Sequence, residues 1–458
     1  MPLTLRNVRP WRGAMVDVFM DRGSIKAVGP DLIRAGDEID GRGNLLLPGL
    51  HDHHLHILAT AARRDSIGLE HMLDASAVRA ALQRAAAAAP PGRGVRAVNY
   101  DERAAGLPDR GLLDSWLPDR PLRVLDRTGA LWVLNSRALG LLEGHELPPG
   151  AERDARGLPT GHFWREDAWL GRTLPRHPPD LASLGDRLAA LGLTGLTDAG
   201  AQNGPDVART LGTARLPQRL VLMGDETLGP GEGYRLGPLK LLLDERDPPD
   251  LAELAARIVQ ARRQGRAVAA HCVTVAELAL FLAGLDEAGG ARSGDRIEHG
   301  GVIPAGFVSA IAERGLTVVT NPAFIHDRGD RYRATVPEAE WGELYRAASL
   351  IAAGVPLAGG SDAPYASVDP WLAMRTARDR LTASGEALSP GEAIAAREGL
   401  ALYLGDALAP GGPSRKLAVG EAADVILCSG TLEDVLADLT ADRVAVTIVA
   451  GEVVFSRD

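Results

Sequence analysis

The feature with the fewest structural solutions is a set of short apolar runs, far apart in the chain, that end in groups able to bind a metal ion. Leu45-Leu46-Leu47 runs into Pro48-Gly49-Leu50-His51-Asp52-His53-His54-Leu55-His56, which holds four of the eleven histidines. Ala267-Val268-Ala269-Ala270 ends in His271, Arg296-Ile297-Glu298 leads to His299, and Val355-Pro356-Leu357-Ala358-Gly359-Gly360 leads to Ser361 and Asp362. Runs of this length, bounded by turns, read as buried strands rather than helices. Helical stretches such as Leu251 to Gln264 separate them, so strands and helices alternate and a parallel sheet follows. A barrel of such units gathers its strands' C-terminal ends at one mouth, where active sites sit. A lone histidine on an apolar run is more often a core residue than a ligand, but the joint pattern favours a metal site. Residues two apart on a strand share a face, which offers two imidazole pairs, His54/His56 and His51/His53. The alternation does not choose between them, and for this stretch alone the competing reading is a histidine-rich surface loop.

Read on these residues, the chain resembles the amidohydrolase superfamily, and within it the branch that includes N-substituted formamide deformylase. The family's first-strand motif (Pro-Gly, apolar, any, Asp, any, His, any, His) aligns on Pro48 to His56 and selects His54 and His56 as ligands. His51 and His53 depart from it, standing where the family usually carries an apolar and a small hydroxyl residue. The resemblance implies a TIM-like (β/α)8 barrel with a small β-sandwich domain built from both termini. The residues suggest the same split. Leu3 to Val8, Met15 to Met20 and Ser24 to Gly29 read as strands, as do Ala423 to Cys428, Val444 to Val449 and Gly451 to Phe455. The expected boundaries are 1–48 and 405–458 for the β domain and 49–404 for the barrel, with an insertion around 57–193.

Lys240 sits in the apolar run Pro238-Leu239-Lys240-Leu241-Leu242, where a lysine is unfavourable unless its charge is neutralised or used. Its amine reaching Asp244 is one reading. The other comes from the resemblance: in hydantoinases and dihydroorotases a lysine in a similar strand takes up carbon dioxide, and the carbamate bridges two metal ions. The implied site then holds two ions, with His54, His56 and Asp362 on one, His271 and His299 on the other, and Lys240 bridging. Without the carbamate, His54, His56, His271 and Asp362 hold one ion and His299 hydrogen-bonds the reacting group. In either form zinc or a similar ion activates water, and Asp362 serves as general base. These parts suit hydrolysis of an amide or another non-peptide carbon–nitrogen bond, and an ester or lactone would be easier still. Deaminases of the superfamily carry a glutamate three residues after the fifth-strand histidine. Thr274 stands there, and the nearest glutamate is Glu277. A non-catalytic assembly relative is the rival of another class, but such relatives typically lose ligands that this chain keeps.

Hydrophobic residues at 45% and charged residues at 24% give an ordinary globular chain. A net charge of −10 argues against nucleic acid and anionic membrane as partners and says nothing sharper, while the resemblance implies a small-molecule substrate. Two cysteines cannot make a disulfide framework, the N-terminal residues do not read as a signal peptide, and no apolar run is long enough for a bilayer. A cytoplasmic protein is expected, and a homo-oligomer is compatible with the sequence.

From the histidine motif onward there are ten strand-like runs for eight barrel places. Two must lie outside the barrel, and the pattern does not choose which; Val95 to Tyr100 and Leu122 to Leu125 are among the ten. Ala77 to Ala89 reads as a helix with Ser76 as N-cap, and Pro390 to Leu404 as a helix capped by Ser389. Pro148 to Thr160 reads as a loop. Phe163, Trp164, Glu166 and Trp169 fit either a substrate pocket or a loop anchor. His326, Arg328 and Arg331, beside the seventh strand, and Tyr365, after Asp362, are further candidates for substrate contact. Asp126, Arg127 and Asn135 resemble positions near a family Asp-Gly-His, which Arg127-Thr128-Gly129 replaces here.

Overall fold

The structure is a computed structural model, and it describes residues 2–33, 36–64, 66–69, 72–90, 92–174 and 179–457. It divides into two compact units: Met1–Ile57 with Leu181–Asp458, and Leu58–Asp180.

The first unit contains the barrel. Its strands are β1 (Leu50–Leu55), β2 (Leu193–Asp198), β3 (Arg219–Gly224), β4 (Arg235–Leu241), β5 (Val268–Cys272), β6 (Arg296–His299), β7 (Thr317–Thr320) and β8 (Leu357–Gly359), all parallel and in sequential order. Parallel strands covered on both faces read as continuous apolar runs, and β2, β5 and β6 are buried almost end to end. The helices between them bury one stripe each. In Leu251–Arg263 that stripe is Leu254, Ala255, Ile258 and Ala261, behind the N-cap Asp250. The barrel is laced shut beyond its last strand: Asp362 N donates to His54 O at 2.7 Å and His56 N to Ala363 O at 2.9 Å. A Cβ on Gly360 would stand 2.5 Å from His54 Cβ, so only glycine lets these strands approach. At the other end Tyr403 O accepts from His51 N, and Leu402 O from Gly359 N.

Both termini build a second sheet. Leu45–Pro48 pairs antiparallel with Val425–Cys428 and parallel with Leu3–Pro10, joining the two chain ends in one eight-stranded arrangement. Leu5, Val18, Ile25, Leu46, Val425 and Ile448 form its core.

The second unit carries a six-stranded sheet that includes Val95–Tyr100 and Leu122–Asp126. These are the two surplus runs. Here Asp74, not Ser76, caps the helix Ala75–Ala88, accepting from Ser76 N and Ala77 N. The stretch expected to loop out instead holds a hairpin, Ala151–Arg153 against Pro159–Trp164, closed by a turn in which Asp154 accepts from Arg156 N and Leu158 N. The helix expected from Pro390 to Leu404 is broken into a turn, Pro390–Glu392, and a helix, Ala396–Ala401. Ser389 has φ +54° and gives its hydroxyl to Trp341 O, while Glu392 is drawn to Arg346 and the N–H groups of Ala347 and Ser349. No helix among the described residues is long and apolar enough to cross a membrane.

Candidate metal centre

The barrel mouth collects His54, His56 and Asp362, each offering one ligand atom, and these three atoms lie within 4.8 Å of one another. Asp362 Oδ1 is 3.1 Å from His56 Nε2 and 3.4 Å from His54 Nε2. His271, from the end of β5, and His299, from the end of β6, stand in a row with them. The ring centroids are 4.6 Å apart both from His54 to His299 and from His299 to His271. Two of these residues sit at the left-handed backbone angles that side chains seldom adopt, His299 at φ +72° and Asp362 at φ +53°. Such angles persist where surrounding structure imposes them, and they cluster at functional sites.

Each side chain is oriented from behind. His54 Nδ1 bonds the Glu298 carboxylate, so its proton lies on Nδ1 and the lone pair on Nε2 faces Asp362. His299 Nδ1 donates to Asn321 Oδ1 at 2.8 Å, and Asn321 in turn donates to Gly360 O. Asp52 accepts from His54 N and from Ser361 N, tying β1 to the segment after β8. Burial raises the Asp52 carboxyl to about 6, against the bonds it accepts. Tyr365 sets its ring edge-on to His56, 5.6 Å between centroids.

The electrostatics favour a cation among these atoms. Burial opposes a charge on Asp362, yet His54, His56 and His299 hold its carboxyl well below the usual carboxylate range. Burial and Lys240 pull the His54 imidazole down, but Glu298 and Asp362 outweigh them and raise it above its ordinary value. An imidazole between two carboxylates calls for positive charge on Nε2, and a divalent ion supplies it by displacing a proton. Burial, then Lys240 and His54, bring His271 to about 4, so it is a neutral lone-pair donor at neutral pH. His54 Nε2, Asp362 Oδ1 and Lys240 Nζ are buried without a hydrogen-bond partner among the described residues. Orphaned buried polar atoms are costly, and a metal ion held by imidazole and carboxylate satisfies the first two. The donor set therefore fits a metal.

Lys240 is 3% exposed. Its amine does not reach Asp244, which accepts from Arg246 N instead. Burial lowers its ammonium below the ordinary value, although Glu298 and Asp362 oppose the shift.

Beside His271 a cavity is lined by Leu242, Asp244, Arg246, Val273, Thr274 and Glu277. Thr274 and Glu277 form the capping box of the helix Val275–Glu287, with the Glu277 carboxylate accepting from Val273 N at 2.7 Å and Thr274 N at 3.0 Å. His326, Arg328 and Arg331 lie on the helix Ala323–Thr335, not in a loop. His326 pairs with Asp327 at 2.8 Å, and Arg328 donates to Tyr365 O at 2.9 Å. Trp164 and Glu166 belong to the other unit. There Trp164 is exposed, Glu166 accepts from Gly150 N, and Phe163 stacks on Trp169 in the core. Arg127 pairs with Glu102, Asp126 closes a turn on Ala130 N and Leu131 N, and Asn135 caps the helix Ser136–Gly140.

Glu298, Asn321 and the orienting bonds of Asp52 were not among the expected site features. Glu298 precedes His299 in the strand but meets a partner 244 positions away, a relation that no local spacing encodes.

The chain builds a parallel barrel whose C-terminal mouth gathers imidazoles and a carboxylate that could hold a metal ion. The sequence profile of the Amidohydrolase family matches residues 37–455, and the chain belongs to that family. It is 25% identical to N-substituted formamide deformylase of Arthrobacter pascens over 482 aligned positions, covering 90% of this chain and 89% of that protein. In fold it is similar to an uncharacterized metal-dependent hydrolase from Pyrococcus furiosus, with a TM-score of 0.74, 20% identity, and 93% and 98% of the two chains covered. It is also similar to N-isopropylammelide isopropylaminohydrolase from Burkholderia multivorans, with a TM-score of 0.55, 18% identity, and 99% and 98% covered.

Proposed function

We propose that this chain is a metal-dependent hydrolase that cleaves an amide or other non-peptide carbon–nitrogen bond of a small molecule. The observation that carries the reading is the convergence of His54, His56 and Asp362 within 4.8 Å, with the His54 and Asp362 atoms otherwise unsatisfied. His54, His56, His271, His299 and Asp362 would hold one or two divalent ions, zinc or a similar one. Such an ion brings the pKa of water toward neutrality and polarises a carbonyl. Asp362, ionised and at the mouth, takes the proton of the attacking water and returns it to the leaving nitrogen. His299, whose Nδ1–H is held by Asn321, keeps the Nε2 lone pair available either to a metal or to a hydrogen-bond donor of the reacting group, such as the attacking water.

Lys240 supports the two-ion form. Burial favours the neutral form of the Lys240 amine, whose nitrogen can add to the carbon of carbon dioxide with loss of a proton. The resulting carbamate would turn an orphaned cation into an anionic bridge. Unlabelled and 13C-labelled bicarbonate distinguish the forms: a carbamate carbon resonance with two zinc equivalents supports the bridge, and one equivalent without that resonance supports the single ion. The deaminase reading loses its acid, since Glu277 is committed to its helix cap.

The test is a screen of zinc-loaded protein against N-acyl, cyclic amide, ester and amine-bearing ring substrates. Turnover of an amide that disappears on chelation is the expected result. A protein that holds no metal after purification with zinc would overturn the reading and favour an assembly role.

A further inference from the structure

Two imidazoles of the centre are oriented through Nδ1 by chemically different groups. His299 has the neutral amide of Asn321, whereas His54 has the carboxylate of Glu298. Glu298 is fully buried, as is Arg296, whose Nε donates to Glu298 Oε1 at 2.6 Å while Oε2 meets His54. Arg296 is braced in turn, with Nη2 3.5 Å from His53 O and 3.4 Å from Met223 Sδ. An ion pair in a barrel core is poor value as a stabiliser, since desolvating two charges offsets most of their attraction. Branched apolar side chains usually fill such barrels. A carboxylate behind an imidazole ligand, by contrast, fixes its tautomer and raises its basicity toward a metal.

We propose that Glu298 is a positioning residue of the metal centre: braced by Arg296, its carboxylate holds the proton of His54 on Nδ1 and so aims Nε2 at the ion. This rests on the metal-dependent reading above. Arg296 is the counter-charge that lets the carboxylate face an imidazole with its second oxygen already satisfied.

The experiment compares zinc affinity of wild type, E298Q and E298D by equilibrium competition with a chelator, alongside thermal melts and cobalt absorption spectra. E298Q removes the charge, and E298D keeps it beside Arg296 but shortens the reach to His54. Both should bind zinc about 10- to 100-fold more weakly than wild type, with altered cobalt bands. A purely structural pair would lower the melting temperature and leave affinity within about threefold, which overturns the proposal. Should neither variant fold, zinc-loaded wild type labelled with 15N-histidine decides. A low-field proton on His54 Nδ1 supports the proposal, and its absence overturns it. Wild type that binds no zinc would instead sink the metal reading itself.

Discussion

His51, His53 and His54 lie on β1 and His56 just past its end, yet the two pairs meet opposite surroundings. His54 and His56 face Asp362, and Glu298 stands behind His54. The other pair lies 4.6 Å ring to ring, His51 bonded to Thr197 Oγ1 at 2.8 Å and His53 with neither nitrogen partnered among the described residues. Burial pushes both imidazoles down, His53 to about 3. Arg296 and Arg415 act in the same direction on each, and only Glu298 opposes them at His53. A field set by two guanidiniums repels a metal ion, while one set by carboxylates gathers it. Four imidazoles in six residues thus divide by the charges that the rest of the barrel brings to them. A Cβ on Gly195 would stand 2.2 Å from His51 Nδ1, so the barrel makes room for that ring with a glycine.

The largest effect should fall on the mouth. D362N should abolish zinc retention and lower kcat/KM roughly ten-thousandfold, about 5.5 kcal/mol, measured on a substrate from the screen. Retained metal would break the comparison at its stronger half.

The next effect belongs to the inner pair. The unfolded chain protonates His53 below its ordinary 6.5, while the folded chain resists until about 3. The unfolded state therefore binds more protons in that window, and stability falls as the pH drops from about 6.5 to 3, by the order of a few kcal/mol. Denaturant melts across this range should show the slope, and H53M should flatten it. A slope unchanged in H53M would place the titration elsewhere.

At fixed neutral pH, H53M should leave zinc affinity within about threefold and raise stability by about 1 kcal/mol, because it removes a buried imidazole with unpaired nitrogens. Loss of metal in H53M would erase the distinction between the pairs. Smallest of all, E277A should cost about 1 kcal/mol in a thermal melt through its lost cap and leave zinc binding unaltered. Lost metal would give Glu277 a role at the centre.

Much of this was legible in the chain. The apolar runs before His271, His299 and Asp362 encode buried strands and their polar ends, and eight of the ten runs form the barrel. Val95–Tyr100 and Leu122–Asp126 carry the same local pattern and pair parallel to each other, but in the other unit. A buried parallel strand looks alike in any sheet. The choice between histidine pairs was hidden because strict alternation fails on β1. Leu196 pairs Asp52 and Asp198 pairs Leu55, three steps against two. Such irregularities re-aim side chains next to active sites. The failed helix at Pro390 follows from Glu392, whose partners lie more than forty residues away. Propensity and capping signals carry no information about them.

Anomalous diffraction from a zinc-loaded crystal tests the central claim most directly. The account predicts a peak between His54 Nε2, His56 Nε2 and Asp362 Oδ1, with or without a second one near His271 and His299. A peak between His51 and His53, or none at the mouth of a zinc-saturated crystal, would contradict it.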